Sequence, residues 1–405
     1  MKKIMIVGAG VYQFPLIETA LKYGQVIVVA PSIPERIQKN VYKSFITDVR
    51  NMEAVYKLAI KEKIDAILTD QTDIAVRTVA YVAEKLNLPG IGYELSILFT
   101  DKAKMRKRCE ELGIPTLPNR CVSSLSEAIE FYESLSCDVI IKPVDNQGSR
   151  GVAKISSKSE LEFKFKEAKK CSSSGNVIIE KLASGREFVV EGITSNYSYN
   201  TLICGDTEYF NIPDAYAAKS RIFPSQADEM LVSRVCELNK KIIEGFGLPH
   251  GISHSEFIMD EDEIYLIETA ARGGGVFISS DLIYLGAGLH TEEYLIETAL
   301  GIDYPVQIIK GKYCCYMAFY LSNGIVDSIE GINKVKELKY VHRHLLDEIY
   351  LGMHIKNNND KTSRYSIIIS GDNRAELEKN MAEVRSILNI ISLDENGNYN
   401  GIIWE

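Results

Sequence analysis

Short apolar runs at residues 4–8, 26–30 and 64–68 alternate with stretches of helical periodicity at 52–63 and 74–86. Strand and helix in alternation predict a parallel, doubly wound sheet, because parallel neighbours need the long crossover that a helix supplies. A helix expected over 101–111 stops at Gly113, and Pro115 and Pro118 follow, which sets the first boundary at residue 115. Beyond Cys121 the texture turns to α+β. Ser124-Leu-Ser-Glu127 and Ser157-Lys-Ser-Glu160 read as capping boxes that each open a helix, and the runs 139–142, 152–155, 177–180 and 187–192 read as strands. A long amphipathic helix is expected over 228–246, leading into a hairpin; strand-like 365–370 and helix-like 374–388 belong to a C-terminal tail. The expected organisation is a doubly wound α/β domain at 1–115, a small α+β lobe at 116–190, a second lobe carrying the hairpin at 191–310 and a small C-terminal α+β lobe at 311–405.

The hairpin carries the most informative chemistry. With a turn centred on Asp262, Glu256 faces Glu268 with Cβ atoms about 5 Å apart. Like charges that close are destabilising unless a cation lies between them, and hard oxygen ligands of this kind suit Mg²⁺ carrying substrate phosphates. The same register puts His254 opposite Ala270, on the face of both glutamates. Directly afterwards, Arg272 and the glycines at 273–275 add a fixed cation and a backbone that a ligand can approach. A second motif lies between two apolar strands, in the loop Lys142-Pro-Val-Asp-Asn-Gln-Gly-Ser-Arg-Gly151. Gly148 and Gly151 let successive N–H groups converge on one anion, Ser149 adds a hydroxyl, and Lys142 and Arg150 add charge. This is a phosphate cradle on a hairpin, not a P-loop, since no Gly-Lys-Ser/Thr end is present.

Composition narrows the field. A chain of 405 residues, 46% hydrophobic, supports two or three domains with real cores. Its formal charge of −9 argues against a nucleic acid or an anionic membrane as the main partner. Eight cysteines without CxxC or zinc spacing suggest neither a disulfide framework nor a structural zinc site. The basic-then-apolar N-terminus breaks at Gly8 and Gly10, and no apolar run approaches a membrane span, so a cytoplasmic protein is expected. Gly8 and Gly10 begin a dinucleotide fingerprint, but its third glycine is replaced by Gln13 and the second strand ends in Ala30 instead of an acidic residue, which disfavours a nicotinamide enzyme.

In this order the motifs resemble the ATP-grasp superfamily, in which two α+β lobes close on ATP. The likeness runs through Asp101-Lys102, Ile140-Ile-Lys142-Pro with its glycine loop, Ile179-Glu-Lys-Leu-Ala-Ser-Gly-Arg-Glu187, and the Glu256/Glu268 hairpin with Arg272. It implies that 116–190 and 191–310 are the small and catalytic lobes of one ATP-grasp domain. By the family pattern, Lys102 and Lys142 contact the phosphates and the adenine edge, Glu180, Lys181 and Leu182 form the adenine hinge, and Glu187 holds the ribose hydroxyls. Glu256 and Glu268 ligate Mg²⁺, with Mn²⁺ as an alternative metal, and Arg272 stabilises a developing acyl phosphate. The triplet His254-Ser-Glu256 and the run Glu268-Thr-Ala-Ala-Arg272 look most like the carboxylate-amine, or amino-acid, ligase branch. That resemblance implies ATP-dependent activation of a carboxylate and its capture by an amine, both small molecules and most simply amino acids. Alternatives are a bicarbonate-using carboxylase or carbamoyl-phosphate-type enzyme, or an ATP-binding module without turnover. One departure is Ala270, where many family members carry Asn; water is the expected replacement ligand, with His254 reaching toward phosphate or the substrate carboxylate. The segment 211–221 reads as a lid in which Tyr216, Lys219 and Arg221 meet an anionic substrate. A homodimer is the expectation from base rates.

Overall fold

The structure is a computed structural model, and it describes residues 1–212, 216–357 and 364–405. The chain forms two compact units. One comprises Met1–Leu202, Asp228–Gly275 and His290–Val306; the other comprises Ile203–Ala227, Val276–Leu289 and Gln307–Glu405.

The first unit opens with a four-stranded sheet in the order Lys43–Ile46, Gly24–Ala30, Lys2–Val7, Ala66–Leu68. All its pairings are parallel, as the strand–helix alternation requires. The strand Lys2–Val7 is central and apolar on both faces, so Ile4 and Ile6 enter one core while Met5 and Val7 enter another. The first of these cores also takes Ile296 and Ala299 from the helix Thr291–Ala299, a contribution from far along the chain. At the first turn the Gln13 side chain accepts from the Gly10 N–H (3.0 Å) and donates to the Asp70 carbonyl (2.9 Å). It therefore fills the space over the glycine turn where a dinucleotide phosphate would need open backbone.

A second four-stranded sheet, Asn119–Val122, Val177–Lys181, Val139–Pro143, Ala153–Ile155, is antiparallel throughout. The helices Leu125–Ser134 and Lys158–Cys171 cover it, and both open with the expected reciprocal capping boxes, at Ser124/Glu127 and Ser157/Glu160. The helix Glu229–Phe246, capped by Asp228 and ended by Gly247 at φ 84°, leads to the hairpin Gly251–Asp260/Glu263–Ala270, which pairs on its other side with Arg186–Ser195.

In the second unit Ala218–Phe223, Tyr313–Tyr320, Arg364–Gly371 and Val341–His344 form an antiparallel set, backed by the helix Arg374–Ile387. A separate sheet joins His354–Ile355, Gly324–Glu330, Asn389–Leu393 and Tyr399–Asn400. Among the described residues no helix is long and apolar enough to cross a membrane.

Candidate active site

Glu256 and Glu268 face each other on neighbouring strands, and His254 faces Ala270. The reason differs from a turn centred on Asp262. Asp260 pairs with Glu263, so the turn is the two residues Glu261 and Asp262, with Glu261 at φ 56°; Ile267 is then an extra, bulged residue that shifts the register back before the glutamates. The bulge has a use: the Ile267 carbonyl accepts from Arg106 Nη2 at 2.7 Å.

The two carboxylates have different neighbours. Glu268 Oε2 lies 2.7 Å from Lys102 Nζ, and Glu256 Oε1 lies 3.2 Å from His254 Nε2. The other ring nitrogen of His254 makes a very short contact with Glu191, a fully buried carboxylate that also accepts from the Gly274 N–H at 3.0 Å. Burial lowers the affinity of His254 for a proton, but Glu191 and Glu256 outweigh it and the net shift is upward. For Lys102 burial again opposes the charge, and Glu268 more than restores it. The His254 side chain is thus held between two carboxylates, a position suited to orienting Glu256.

A divalent metal fits this pair on the chemistry of its donors. The glutamate side chains are 21% and 25% exposed, against 5% for His254, so their oxygens are open to a ligand while the imidazole is not. Among the described residues no cluster of three or more His, Cys, Asp or Glu forms a cage. Mg²⁺ is commonly bound by one or two carboxylates, with phosphate and water completing the octahedron, and two glutamates meet that requirement.

Arg272 is buried and forks onto Asp73 through two bonds of 2.8 Å, Nε to Oδ1 and Nη2 to Oδ2, while Nη1 donates to the Gly273 carbonyl. Burial would raise the Asp73 pKa, but the guanidinium outweighs it and holds the carboxyl below its ordinary range. Asp73 follows the strand Ala66–Leu68, and Asp70 of the same loop accepts from the Gly273 N–H at 2.9 Å. The glycine loop meets this loop too. Gln147 Oε1 accepts from the Asp73 N–H (2.6 Å), Gln147 Nε2 donates to Thr72 (3.1 Å), and Lys102 Nζ donates to the Asn146 carbonyl (3.1 Å). Gly148, Ser149 and Gly151 all have positive φ, at 68°, 59° and 77°. A Cβ on Gly151 would sit 2.9 Å from side-chain atoms of both Pro143 and Cys171, so only glycine fits there.

The hinge residues are more enclosed. Glu180 is fully buried, forked by Arg106 (2.6 and 3.3 Å) and bonded to Lys142 Nζ (2.8 Å). Burial pushes its pKa up, but the two cations outweigh that and bring it down to about 2. The Lys181 and Leu182 N–H groups donate to the Pro118 and Asp138 carbonyls at 2.9 Å, and Lys181 Nζ lies 3.4 Å from Asp260. Glu187 is half-buried on the strand beside the hairpin, opposite Ile258. Lys219 belongs to the second unit, where it is ion-paired with Glu405 and lies 3.8 Å from Glu208. Of the expected lid, residues 213–215 lie outside the described residues.

The sequence pattern does not single out Asp70, Asp73, Arg106, Gln147 or Glu191. For Asp70 and Asp73 a signal exists: they lie just past the carboxyl end of a parallel strand, where ligands of such sheets bind. For Glu191 it is an acidic residue within a strand whose neighbours are apolar.

Residues 135–281 match the family model described as the ATP-grasp domain. Those residues thus form an ATP-grasp domain. The chain is 30% identical over 245 residues to the alanine–anticapsin ligase of Bacillus subtilis, covering 55% of this chain and 52% of that protein. The chain thus spans about half the length of the curated ligase it matches. Among solved structures, an L-amino acid ligase from Bacillus licheniformis superposes with a TM-score of 0.81 at 21% identity, over 97% of this chain and 99% of that one. The biotin carboxylase domain of a Hydrogenobacter thermophilus 2-oxoglutarate carboxylase, crystallised with MgADP and bicarbonate, gives 0.76 at 18% identity over 99% and 91%. The chain therefore shares its fold with these two structures over nearly its whole length.

Proposed function

We propose that this ATP-grasp protein is a carboxylate-amine ligase that forms amide or peptide bonds between amino-acid-like substrates, consuming MgATP and releasing ADP and phosphate. The observation that carries this reading is the opposed pair Glu256 and Glu268 beside Lys102, with Lys102 and Glu268 lining a cavity of about 720 Å³. A carboxylate is a poor acylating agent because its leaving group is oxide, and phosphorylation by ATP replaces oxide with phosphate. Glu256 and Glu268 would hold Mg²⁺, whose contribution when bound is to neutralise charge on the transferring phosphoryl group.

The chain's own residues do the rest. Lys102 adds a cation beside Glu268, and the N–H groups of Gly148, Ser149 and Gly151 would close over the phosphates with the Ser149 hydroxyl. Arg272, its Nε/Nη2 edge held by Asp73, would turn its remaining Nη N–H groups to the acyl phosphate as it forms. His254 keeps Glu256 oriented, itself fixed by Glu191. Lys142 supports the nucleotide-facing strand through Glu180, and Glu187 would accept from the ribose hydroxyls. Lys219, whose charge is met by Glu405, is assigned no step. The amine then displaces phosphate from the acyl carbon, and water must be kept out until it does.

The test is ATP-dependent phosphate release, screened over pairs of amino acids, dipeptides and small carboxylic acids, with the product weighed by mass spectrometry. Release that requires both an acid and an amine, with an amide formed, is the expected result. Release stimulated by bicarbonate alone contradicts it.

A further inference from the structure

The cavity beside Glu268 holds cationic groups that are not ion-paired with the carboxylates lining it. Arg50 takes up Asp48 through bonds of 3.1 and 2.9 Å, Lys102 takes up Glu268, and Arg272 takes up Asp73. Asp145 accepts from the N–H groups of Ser173 and Ser174. Two guanidinium groups on the wall remain, Arg77 and Arg150, and among the described residues both bond only to neutral oxygens. Arg77 donates from Nε to the Thr100 hydroxyl (2.5 Å) and from Nη2 to the Thr100 carbonyl (3.1 Å). Arg150 donates to the Gln147 carbonyl (3.4 Å) and to Asn146 Oδ1 (3.2 Å).

Arg77 is the more telling of the two. It is half-buried near the start of the helix Val76–Lys85, and Thr100, which fixes it, is itself tied by a 2.7 Å bond to the Ser96 carbonyl. A guanidinium offers five N–H donors in a rigid fork, so the two bonds to Thr100 orient it and leave donors for a ligand. A half-buried, oriented cation without a counter-ion, on the wall of a polar cavity, is suited to an anion, because charge-assisted bonds there are strong. Arg150 lies on the glycine loop, is exposed and lines the same cavity.

Resting on the ligase reading, the geometry points to this cavity as the seat of the amine co-substrate and to Arg77 as a specificity-determining residue for that co-substrate. Arg77 selects an amine that bears an anionic group, a carboxylate or a phosphate monoester, away from its reacting nitrogen. Arg150 is the second cation for the same group. A neutral amine of the same shape leaves Arg77 without a counter-ion and binds poorly.

The experiment is calorimetric titration of the full chain in the presence of MgADP. The probes are the common amino acids, their C-terminal amides and O-phosphoethanolamine. At least one anionic probe is expected to bind while the amides do not, and Arg77→Gln is expected to weaken that binding about tenfold to a hundredfold, the loss of a charge-assisted bond. Arg77→Lys should recover part of it. Which anionic probe binds distinguishes a carboxylate from a phosphate. Amides binding as tightly as the acids, no anionic probe binding, or Arg77→Gln binding within twofold of wild type would each overturn the inference. Should Arg77→Gln fail to fold, Arg150→Gln on the exposed loop makes the same comparison with a smaller expected loss. Phosphate release over the same probes separates the two readings. Arg77-dependent binding without release contradicts the ligase reading, and release indifferent to Arg77→Gln contradicts this inference alone.

Discussion

Two clusters of the first unit use the same residue types to opposite ends. Around Glu180, two cations meet one carboxylate with almost no solvent: Glu180 is 0% exposed, Arg106 2% and Lys142 8%. Around Glu268, a lysine meets a carboxylate that is one-quarter exposed and lines a cavity. In the first cluster Glu180 is fully engaged by fixed partners, so the triad is architecture that locks the strand Val177–Lys181 to the helix Lys102–Glu111. In the second, under the proposed function, Lys102 would exchange Glu268 for a phosphate and Glu268 would exchange Lys102 for a metal. Charge type does not distinguish structure from chemistry here; access does.

The difference predicts where substitutions hurt. Glu180→Gln should destabilise the fold by about 3–5 kcal/mol, because it leaves Arg106 and Lys142 buried without their shared carboxylate. Chemical denaturation would register this as a lowered midpoint. Since Glu180 is held down to about 2 from an ordinary 4.5, its contribution is present above pH 4.5 and is lost as pH falls from there toward 2. Wild-type stability should decline through that window more steeply than that of Glu180→Gln.

Glu268→Gln should do the reverse. Turnover should drop by about 10²–10³, the scale seen when one transition-state electrostatic group is removed, with a denaturation midpoint close to wild type. A large stability loss with turnover retained would move Glu268 into the architectural class. Asp73→Asn tests the intermediate case, a buried partner of a reacting group. The Arg272 fork loses its fixed counter-ion, and kcat is expected to fall about tenfold with KM for ATP little changed. Steady-state kinetics in saturating substrates would show the split.

The smallest effect is the protonation of His254. Its folded pKa is raised above 6.5 because Glu191 and Glu256 outweigh burial, so its stabilising pairing is fully present below pH 6.5 and fades as pH rises through the raised value. In the metal-free protein, NMR titration should find His254 still protonated where a free imidazole is neutral. A pKa at or below 6.5 would mean that burial dominates.

Much of this was legible in the residues, for identifiable reasons. Capping boxes, the glycine stop at Gly113 and the strand–helix alternation are local signals, and the elements they predict are present. The Glu256/Glu268 pairing was legible as well, though through a compensating error: a tighter turn and a bulge at Ile267 together give the register that a looser turn alone would give. What the sequence hides is contact across distance. Nothing near Arg272 points to Asp73, and nothing near Glu180 points to Arg106, since each pair is joined only by tertiary packing. The helix Thr291–Ala299 completing the N-terminal core is hidden for the same reason.

If Glu256 and Glu268 together grip metal-bound nucleotide, the affinity for ATP must depend on Mg²⁺ through those two side chains. Calorimetric titration of ATP, with and without Mg²⁺, into the wild type and the Glu256→Gln/Glu268→Gln double variant measures that dependence. Mg²⁺ is expected to tighten binding to the wild type and to have no effect on the double variant. An equal Mg²⁺ effect on both proteins would contradict the grip.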